Sequence, residues 1–358
     1  MIRPVMLTLV ACTGATSAGQ AHGQQVLEID YSVGRVVIDD PWRSIRWKSA
    51  IDHDRGILYV HDDEEPDGIM AFSLETGEWL RTYTTRDGEG PQEIPGGFSG
   101  LSVGSNGRLY VSGRTRVLEF DQQGTYVDNW TPTTLARGQG AVCDFAGRPA
   151  VPAPGGVIRR GLDHNDEAIG PEVFVGVEPD EYTQESVDMV GLQWKARIAC
   201  TADAAFVVNT FEDESDSVHV YYESNRRGVL PIPFGLATDQ ALTVGPLPST
   251  DGLGNLVLLG VSIVTLLGQD GGFWNMGALI DPQSGCHAVI RNPEANMFQP
   301  RFMGIYQDSA VIGYRYREET TENGRRVITN FDYANKVVLH PLRRVSGRPC
   351  AGMLPTVN

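Results

Sequence analysis

Residues 88–94 read GEGPQEI, a glycine-rich stretch of the kind that can fold backbone N–H groups around a phosphate. The pattern that does this ahead of a helix is G-x-x-x-x-G-K-[ST], where the lysine meets the phosphate charge. This stretch has no lysine, Glu89 and Glu93 are anionic, and Pro95-Gly96-Gly97 lead into another strand-like segment. A phosphate would be repelled. The glycines are read instead as letting the backbone turn from an outer strand to the next inner one, and Pro91 as stiffening that crossing.

Other catalytic patterns are absent. There are seven histidines, and His53, His61, His164, His219, His287 and His340 show no H-E-x-x-H or comparable ligand spacing. Surface or turn roles are expected for them; His22 falls in the N-terminal leader. No G-x-S-x-G elbow occurs, and no two carboxylates are placed by sequence as a glycosidase acid and nucleophile. No catalytic residue is assigned.

Of five cysteines, Cys12 belongs to the leader. Arg3 supplies a positive charge, Val5 to Ala11 are apolar, and small and polar residues follow through Gln25, which reads as an export signal. Leu9-Val10-Ala11-Cys12 resembles a bacterial lipobox, in which Cys12 would be acylated; ordinary cleavage near Ala18 to Gly23 would discard it. The protein is therefore expected in the periplasm or lipid-anchored to the cell envelope, touching a membrane only through that anchor. The run Leu256 to Leu267 falls short of the roughly 18 residues a helical span needs and reads as strand. Cys143, Cys200, Cys286 and Cys350 remain, an even number that permits disulfides in an exported chain. Cys286 with Cys350 would clip the C-terminal tail; unpaired buried thiols are the other reading.

These residues sit in a chain of 358 with 41% apolar content, enough for a large core. Charged residues make up 21% without a long biased tract, which argues against bulk disorder. The formal charge of −16 opposes general nucleic-acid binding.

A repeat runs along the chain. Residues 47–83 place strand-like segments on either side of the turns His53-Asp54-Arg55-Gly56 and Glu75-Thr76-Gly77. Ile57, Tyr59 and His61 alternate with Leu58 and Val60, as a strand requires. The next unit is built around Asn106-Gly107, a hairpin signal, and Gln122-Gln123-Gly124. Further units begin at Gly140, Ala196, Ala241 and Arg301, the last made of RFMGIY, SAVIGYRY, RRVITNFD and KVVLHPL. Turns at Asp54, Asn106, Ala146, Asp203, Gly254 and Asp308 mark the same point in each, 40 to 57 residues apart. No amphipathic helix interrupts the series. Six four-stranded antiparallel sheets can bury both faces by radial packing about a central channel. The expected fold is all-β, a six-bladed propeller over residues 26–345, after a leader and tether at 1–25 and before a tail at 346–358. Residues 26–40 add one or two strands, which either close the ring on the last blade or lie outside it.

Gly77, the strand Leu80-Arg81-Thr82-Tyr83, the loop Gly88 to Ile94, and Asn106-Gly107-Arg108-Leu109-Tyr110-Val111 carry a resemblance to bacterial six-bladed propellers of the NHL-like kind. It covers residues 45–131 and is only topological beyond. Family members often have glycine where Gln92 stands and phenylalanine where Ile94 stands. The resemblance implies a propeller, and some propellers of similar blade number are metal-dependent lactonases or amidating lyases with ligands in the channel. Asp52, Asp144 and Asn209 are the residues here that could approach it.

With strands labelled A to D outward from the axis, connectivity puts B–C loops and D–A connections on one face and A–B and C–D turns on the other. Three acidic stretches, 62–67, 212–216 and 318–322, fall in B–C loops. They suit a hard cation such as structural calcium, without EF-hand spacing; no other cofactor is expected. Arg46 and Lys48, Lys195 and Arg197, and Arg301 lie near the starts of A strands and could ring the channel mouth, where arginine grips carboxylates. Pairing with neighbouring carboxylates is the plainer role. Trp47, Trp194 and Phe98 could add loop aromatics, or pack between blades. The functional expectation is a monomeric binding module for a protein, peptide or glycan, with its site on the D–A and B–C face. The alternative is a metal-dependent hydrolase or lyase using the channel.

Overall fold

The structure is a computed structural model, and it describes residues 25–62, 68–94, 98–113, 115–132, 142–153, 155–161, 170–176, 196–209, 217–232, 240–244, 247–265, 274–291, 293, 301–314, 318–322, 325–329, 334–350 and 353. Among the described residues there are strands and turns and no helix. After β1 (Gln25–Ile29) and β2 (Arg35–Asp39) come four antiparallel sheets, each made of consecutive strands. The first holds β3 (Ile45–Asp52), β4 (Ile57–Asp62), β5 (Gly68–Ser73) and β6 (Trp79–Thr84). The second holds β7 (Phe98–Val103), β8 (Leu109–Gly113), β9 (Val117–Phe120) and β10 (Tyr126–Trp130). The third holds β11 (Cys143–Phe145), β12 (Arg148–Ala153), β13 (Gly156–Gly161) and β14 (Gly170–Gly176). The fourth holds β15 (Ala196–Cys200), β16 (Ala204–Asn209), β17 (Ser217–Tyr222) and β18 (Arg227–Pro231).

The remaining chain departs from the expected series of separate blades. It contributes β19 (Gln240–Val244), β20 (Leu247–Thr250), β21 (Leu256–Thr265), β22 (Trp274–Ile280), β23 (His287–Arg291), β24 (Arg301–Tyr306) and β25 (Ser309–Tyr314). A hairpin of β26 (Glu318–Glu322) and β27 (Arg325–Thr329) precedes the long β28 (Lys336–Ser346). All of these except the hairpin join β1 and β2 in one ten-stranded sheet, so four discrete four-stranded sheets are found where six were expected. The cause is β1. It pairs in parallel with β23 and antiparallel with β28, bonding across what would otherwise be a gap between two sheets. β2 pairs with the first half of β28, whose other edge carries β25. The N-terminal strands thus complete a sheet begun by the C-terminal ones. The segment RRVITNFD, expected as the third strand of the last unit, is corrected: among the described residues, 325–329 pair with β26, and Lys336–Ser346 lies beside β25. The acidic Glu318–Glu322 stretch is a strand of that hairpin.

Strand position explains the burial patterns. β4 and β12 are buried on both faces over most of their length, because each sits mid-sheet with another sheet stacked on either side. β18 alternates exposed and partly buried residues at the outside of its sheet. Among the described residues, six apolar clusters join the sheets in turn. Tyr59 and Tyr83 of the first sheet pack on Leu109 and Phe120 of the second. Tyr110 and Trp130 pack on Val151 and Ile158 of the third. Phe145 and Val157 meet Ile198 and Val207 of the fourth, and Phe206 and Val220 meet Leu258 and Ile280. Leu27, Val257 and Ile290 pack on Phe302 and Ile312. Val37, Tyr306 and Leu339 return to Leu58 and Phe72 of the first sheet. The fold is therefore an all-β propeller, with antiparallel sheets standing around an axis.

The glycine-rich loop after β6 behaves as a joint. Glu93 turns its carboxylate into the loop, accepting the Gly90 N–H at 2.7 Å and the Arg86 Nε at 2.6 Å. Those two donors, the Gly90 amide first, hold the Glu93 carboxyl below its usual range. Arg116 braces the outside by donating to the Glu93 carbonyl at 3.1 Å. A side chain at Gly88, which has φ +153°, would run into the Glu93 carboxylate. The loop cradles its own anion, which engages the Gly90 N–H and Arg86 as donors.

Candidate functional site

The A–B turns are short, and each leaves an inner strand. Two-residue Ala146-Gly147 has positive φ at both positions, 55° and 77°, as the tightest hairpins require. Asp251 builds the β20–β21 turn by accepting the Leu253 and Asn255 backbone N–H groups at 2.9 and 3.0 Å. Because the sheets stand around one axis, these turns converge. They border a cavity of about 1040 Å³ on the A–B and C–D face, lined by turn residues of the first four sheets, of β20–β21 and of β22–β23.

The lining is acidic. Asp52, Asp54, Asp144, Asp203 and Asp281 face one arginine, Arg226. Asp52 is committed to structure. It takes the Arg55 backbone N–H at 2.9 Å and Nε at 2.6 Å, and Arg55 reaches on to the Gly107 carbonyl at 2.7 Å, clamping the first A–B turn to the second. Asp203 accepts the Thr201 hydroxyl at 3.0 Å, and Asp281 the Gln283 N–H at 2.9 Å, so both are set by their own turns. Arg226 lies with its guanidinium 4.2 Å from the centroid of the Tyr222 ring, another lining residue.

Asp144 differs. It is 8% exposed, and Oδ2 accepts the Ser105 N–H at 2.5 Å, linking the second and third A–B turns. Oδ1 is buried and has no hydrogen-bond partner among the described residues. Leaving such an oxygen unpaired costs about 1–3 kcal/mol, and more for a charged group. The neighbouring Cys143 is bonded to Cys200, itself a lining residue, with Cα atoms 5.5 Å apart. That bond staples β11 to β15 beside Asp144. Cys286 is bonded to Cys350.

His53 lines the same cavity and donates Nε2–H to the Thr250 carbonyl at 3.0 Å. Burial pushes its imidazole below the ordinary value, against that hydrogen bond and against Asp251, Asp52 and Asp54, which favour the charged form. The sign follows. With the folded value depressed, the stability from keeping His53 neutral is complete above about pH 6.5 and is lost as pH falls toward the folded value. Between pH 7 and 5 the wild-type protein should lose stability in urea titrations that His53→Gln retains. Parallel pH profiles for the two proteins would refute this.

The residues singled out by sequence are distributed differently. Of the basic residues singled out, the side chains of Arg46 and Arg197 are described, and neither lines this cavity. Arg46 is exposed on β3, whose pairing register shifts between Ile45 and Ser49. Arg197 is on β15, where burial lowers its guanidinium pKa. Arg301 begins β24 opposite Gly313. The side chains of Trp47, Lys48 and Arg301, and all of Trp194 and Lys195, lie outside the described residues, as do Cys12, His22 and His164. Much of the expected D–A and B–C face does as well, including 63–67, 95–97, 133–141, 177–195 and 210–216. A smaller cavity of about 420 Å³ lies there, beside Arg86, Gln92 and Tyr126. His61 stacks on Phe98 at 4.7 Å. Of the three channel candidates, Asp52 and Asp144 line the cavity; the Asn209 side chain is not described. Among the described residues no three of His, Cys, Asp or Glu form a group that could hold a metal ion. Among those residues no helix is long and apolar enough to cross a membrane. Asp54 and Asp203 belong to no chemical motif in the sequence; their shared position in the A–B turns that mark the repeat is the signal for them.

No protein-family model and no curated sequence matches the chain. Solved structures match its shape. A member of the DUF4221 family from Bacteroides vulgatus is 10% identical, with a TM-score of 0.54, covering 91% of this chain and 100% of that one. Virginiamycin B lyase from Staphylococcus aureus is 12% identical at TM-score 0.46, covering 86% and 99%. A gluconolactonase from Xanthomonas campestris is 12% identical at TM-score 0.46, covering 89% and 97%. At these identities the first likeness shows the fold alone, and the NHL-like resemblance is not supported by a family match.

Proposed function

We propose that the protein is a monomeric, exported six-bladed β-propeller acting as a binding module at the cell envelope, with its ligand in the cleft framed by the A–B turns. Six apolar seams in cyclic order favour six blades, with the ten-stranded sheet counted as two blades that β1 joins. Export fits a leader with Arg3 and a short apolar run, anchored through Cys12 or cleaved beyond it, and fits disulfide pairing of the remaining cysteines.

The cleft carries the reading. It is roomy, axial and walled by short turns fixed by internal hydrogen bonds, the kind of concave site that receives a ligand with little reorganisation. A metal-dependent hydrolase or lyase would need converging ligands, and Asp52 is already spent on Arg55. The test is a thermal-shift screen of envelope-derived peptides, glycans and small metabolites against wild type and Ala202→Trp. Ala202 is exposed in a lining turn, so an indole there takes up part of the cleft without touching the core. Compounds that raise the wild-type Tm should leave the variant unmoved. Hits that stabilise both proteins equally, or a substrate turned over with a bound metal, would overturn the proposal.

A further inference from the structure

We infer that the outer rim around β1 is a docking surface for an anionic phospholipid bilayer, met through Arg291, Arg343, Arg344 and Arg348. The inference stands without the cleft being the ligand site; the export reading supplies the bilayer. The chain carries a formal charge of −16, yet these four arginines gather where β1 bridges β23 and β28. Glu28 of β1 stands opposite Arg291, the last residue of β23, on one side and opposite Arg343 of β28 on the other. Cross-strand partners share a face of the sheet, so the three form one row two strand spacings wide, about 10 Å. Arg344 follows Arg343. Arg348 lies between the end of β28 and Cys350, whose N–H is bonded to Gln25 at the start of β1.

Most of this charge is uncompensated. Glu28 takes Arg343 at 2.5 Å. Among the described residues, the side chains of Arg291, Arg344 and Arg348 have no hydrogen bond or ion pair, whereas Arg43, Arg55 and Arg86 are each bound to a carboxylate. Arg291 and Arg348 are exposed. Asp30, just past β1, accepts the Ser32 N–H at 3.0 Å and its hydroxyl at 2.5 Å. Charges are felt over about 8 Å at physiological ionic strength, so a headgroup at this rim meets the arginines and is screened from distant acidic loops. Arginines spread over two strands and a turn do not converge on one small anion; they are spaced to meet several headgroups. Val345, between Arg344 and Ser346, is 43% exposed and supplies an apolar contact at the headgroup boundary. The leader read from the sequence joins β1 at this same rim. An anchor and a basic patch together are the two signals that stable membrane attachment takes.

The test is flotation of the full chain with vesicles of phosphatidylcholine alone and with about one-third phosphatidylglycerol. Each arginine near an anionic surface contributes roughly fivefold to the partition. Wild type should therefore bind the anionic vesicles about tenfold more strongly than the neutral ones, and about 0.5 M salt should abolish the excess. The excess over neutral vesicles is the readout, because an uncleaved leader binds both kinds. Arg291→Glu with Arg348→Glu should remove it, and both side chains are exposed, so the fold is untouched. Glu28→Gln leaves Arg343 without its counter-charge and should raise binding roughly fivefold. Arg227→Glu, an exposed arginine at the start of β18, should change nothing. The inference is overturned if wild type shows no excess on anionic vesicles, if the double variant binds as wild type does, or if Arg227→Glu weakens binding equally. Inorganic polyphosphate that binds through Arg291 and Arg348 while vesicles do not would also overturn it, in favour of a soluble polyanion. None of these outcomes bears on the cleft, whose test is the response to Ala202→Trp.

Discussion

A chain that begins at Asp40, lacking β1 and β2, should show no cooperative thermal transition and should aggregate on purification. Leu27 and Ile29 of β1 are 3% and 1% exposed, and Val37 and Ile38 of β2 are each 4% exposed. Burying each such side chain contributes about 1.5–3 kcal/mol. Four of them together approach the whole stability of a typical domain, about 5–15 kcal/mol. The loss is wider than those contacts. Without β2 the edge of β28 is bare, and without β1 its second half and β23 lose a shared partner. Unpaired apolar edges template association between chains. Two further ties would go: His340 is bonded to the Val33 carbonyl at 2.7 Å, and Gln25 accepts the Cys350 N–H at 3.2 Å. Circular dichroism melting of the shortened chain is the measurement. A single transition within a few degrees of the full-length protein would show that the ring does not depend on its N-terminal closure.

Replacing Cys143 and Cys200 together by alanine should lower stability by about 4 kcal/mol on the chain-entropy account, given their sequence separation of 57. For a protein of this size that corresponds to a fall in Tm of roughly 6 °C. The bond joins β11 to β15, the first strands of neighbouring sheets, and it is flanked by a seam that includes Phe145, Val157 and Ile198. Its removal should therefore also loosen the wall of the cleft, seen as faster amide exchange in residues 143–147 and 200–204. Cys143 is 3% exposed. Cys200 is partly exposed in the cleft lining, so reductant should attack the bond from its side, and faster in urea. A double variant with wild-type Tm and wild-type exchange would show that the seam alone holds the two sheets in place.

Much of the architecture was legible because β-structure writes its period into short segments. Ile57 to His61 alternate as a strand must, and Asn106-Gly107 announces its hairpin through the one residue that takes positive φ freely, here +74° at Gly107. The self-repelling loop at Gly88 to Ile94 was correctly read as a joint, because Glu93 is a fixed anion wherever its side chain points. The third strand of the last unit was misread for a local reason. RRVIT and KVVLH have equally good strand patterns, and only the partner edge of β25 distinguishes them.

The blade count and the site were harder to see for the same reason. β1 bonds to β23 and β28, which are hundreds of residues away in the chain. No pattern within residues 25–29 specifies a second, parallel neighbour. The basic residues at the starts of A strands suggest an anionic ligand, because cations near a channel attract one; the two whose side chains are described, Arg46 and Arg197, lie on β3 and β15 away from the cleft lining. The aspartates of the A–B turns looked like ordinary turn formers, and several of them are.

Composition and periodicity were enough to establish a β-rich, acidic, repeated chain with its polar turns at regular points, because these properties depend on neighbours a few positions apart. Which turns meet at the axis, which carboxylate is left short of a donor, and which cysteines face each other depend on distances across the ring. Those distances arise only when sheets with two apolar faces pack radially, and that packing brings Asp144, Ser105 and Cys200 from three different sheets to one cleft.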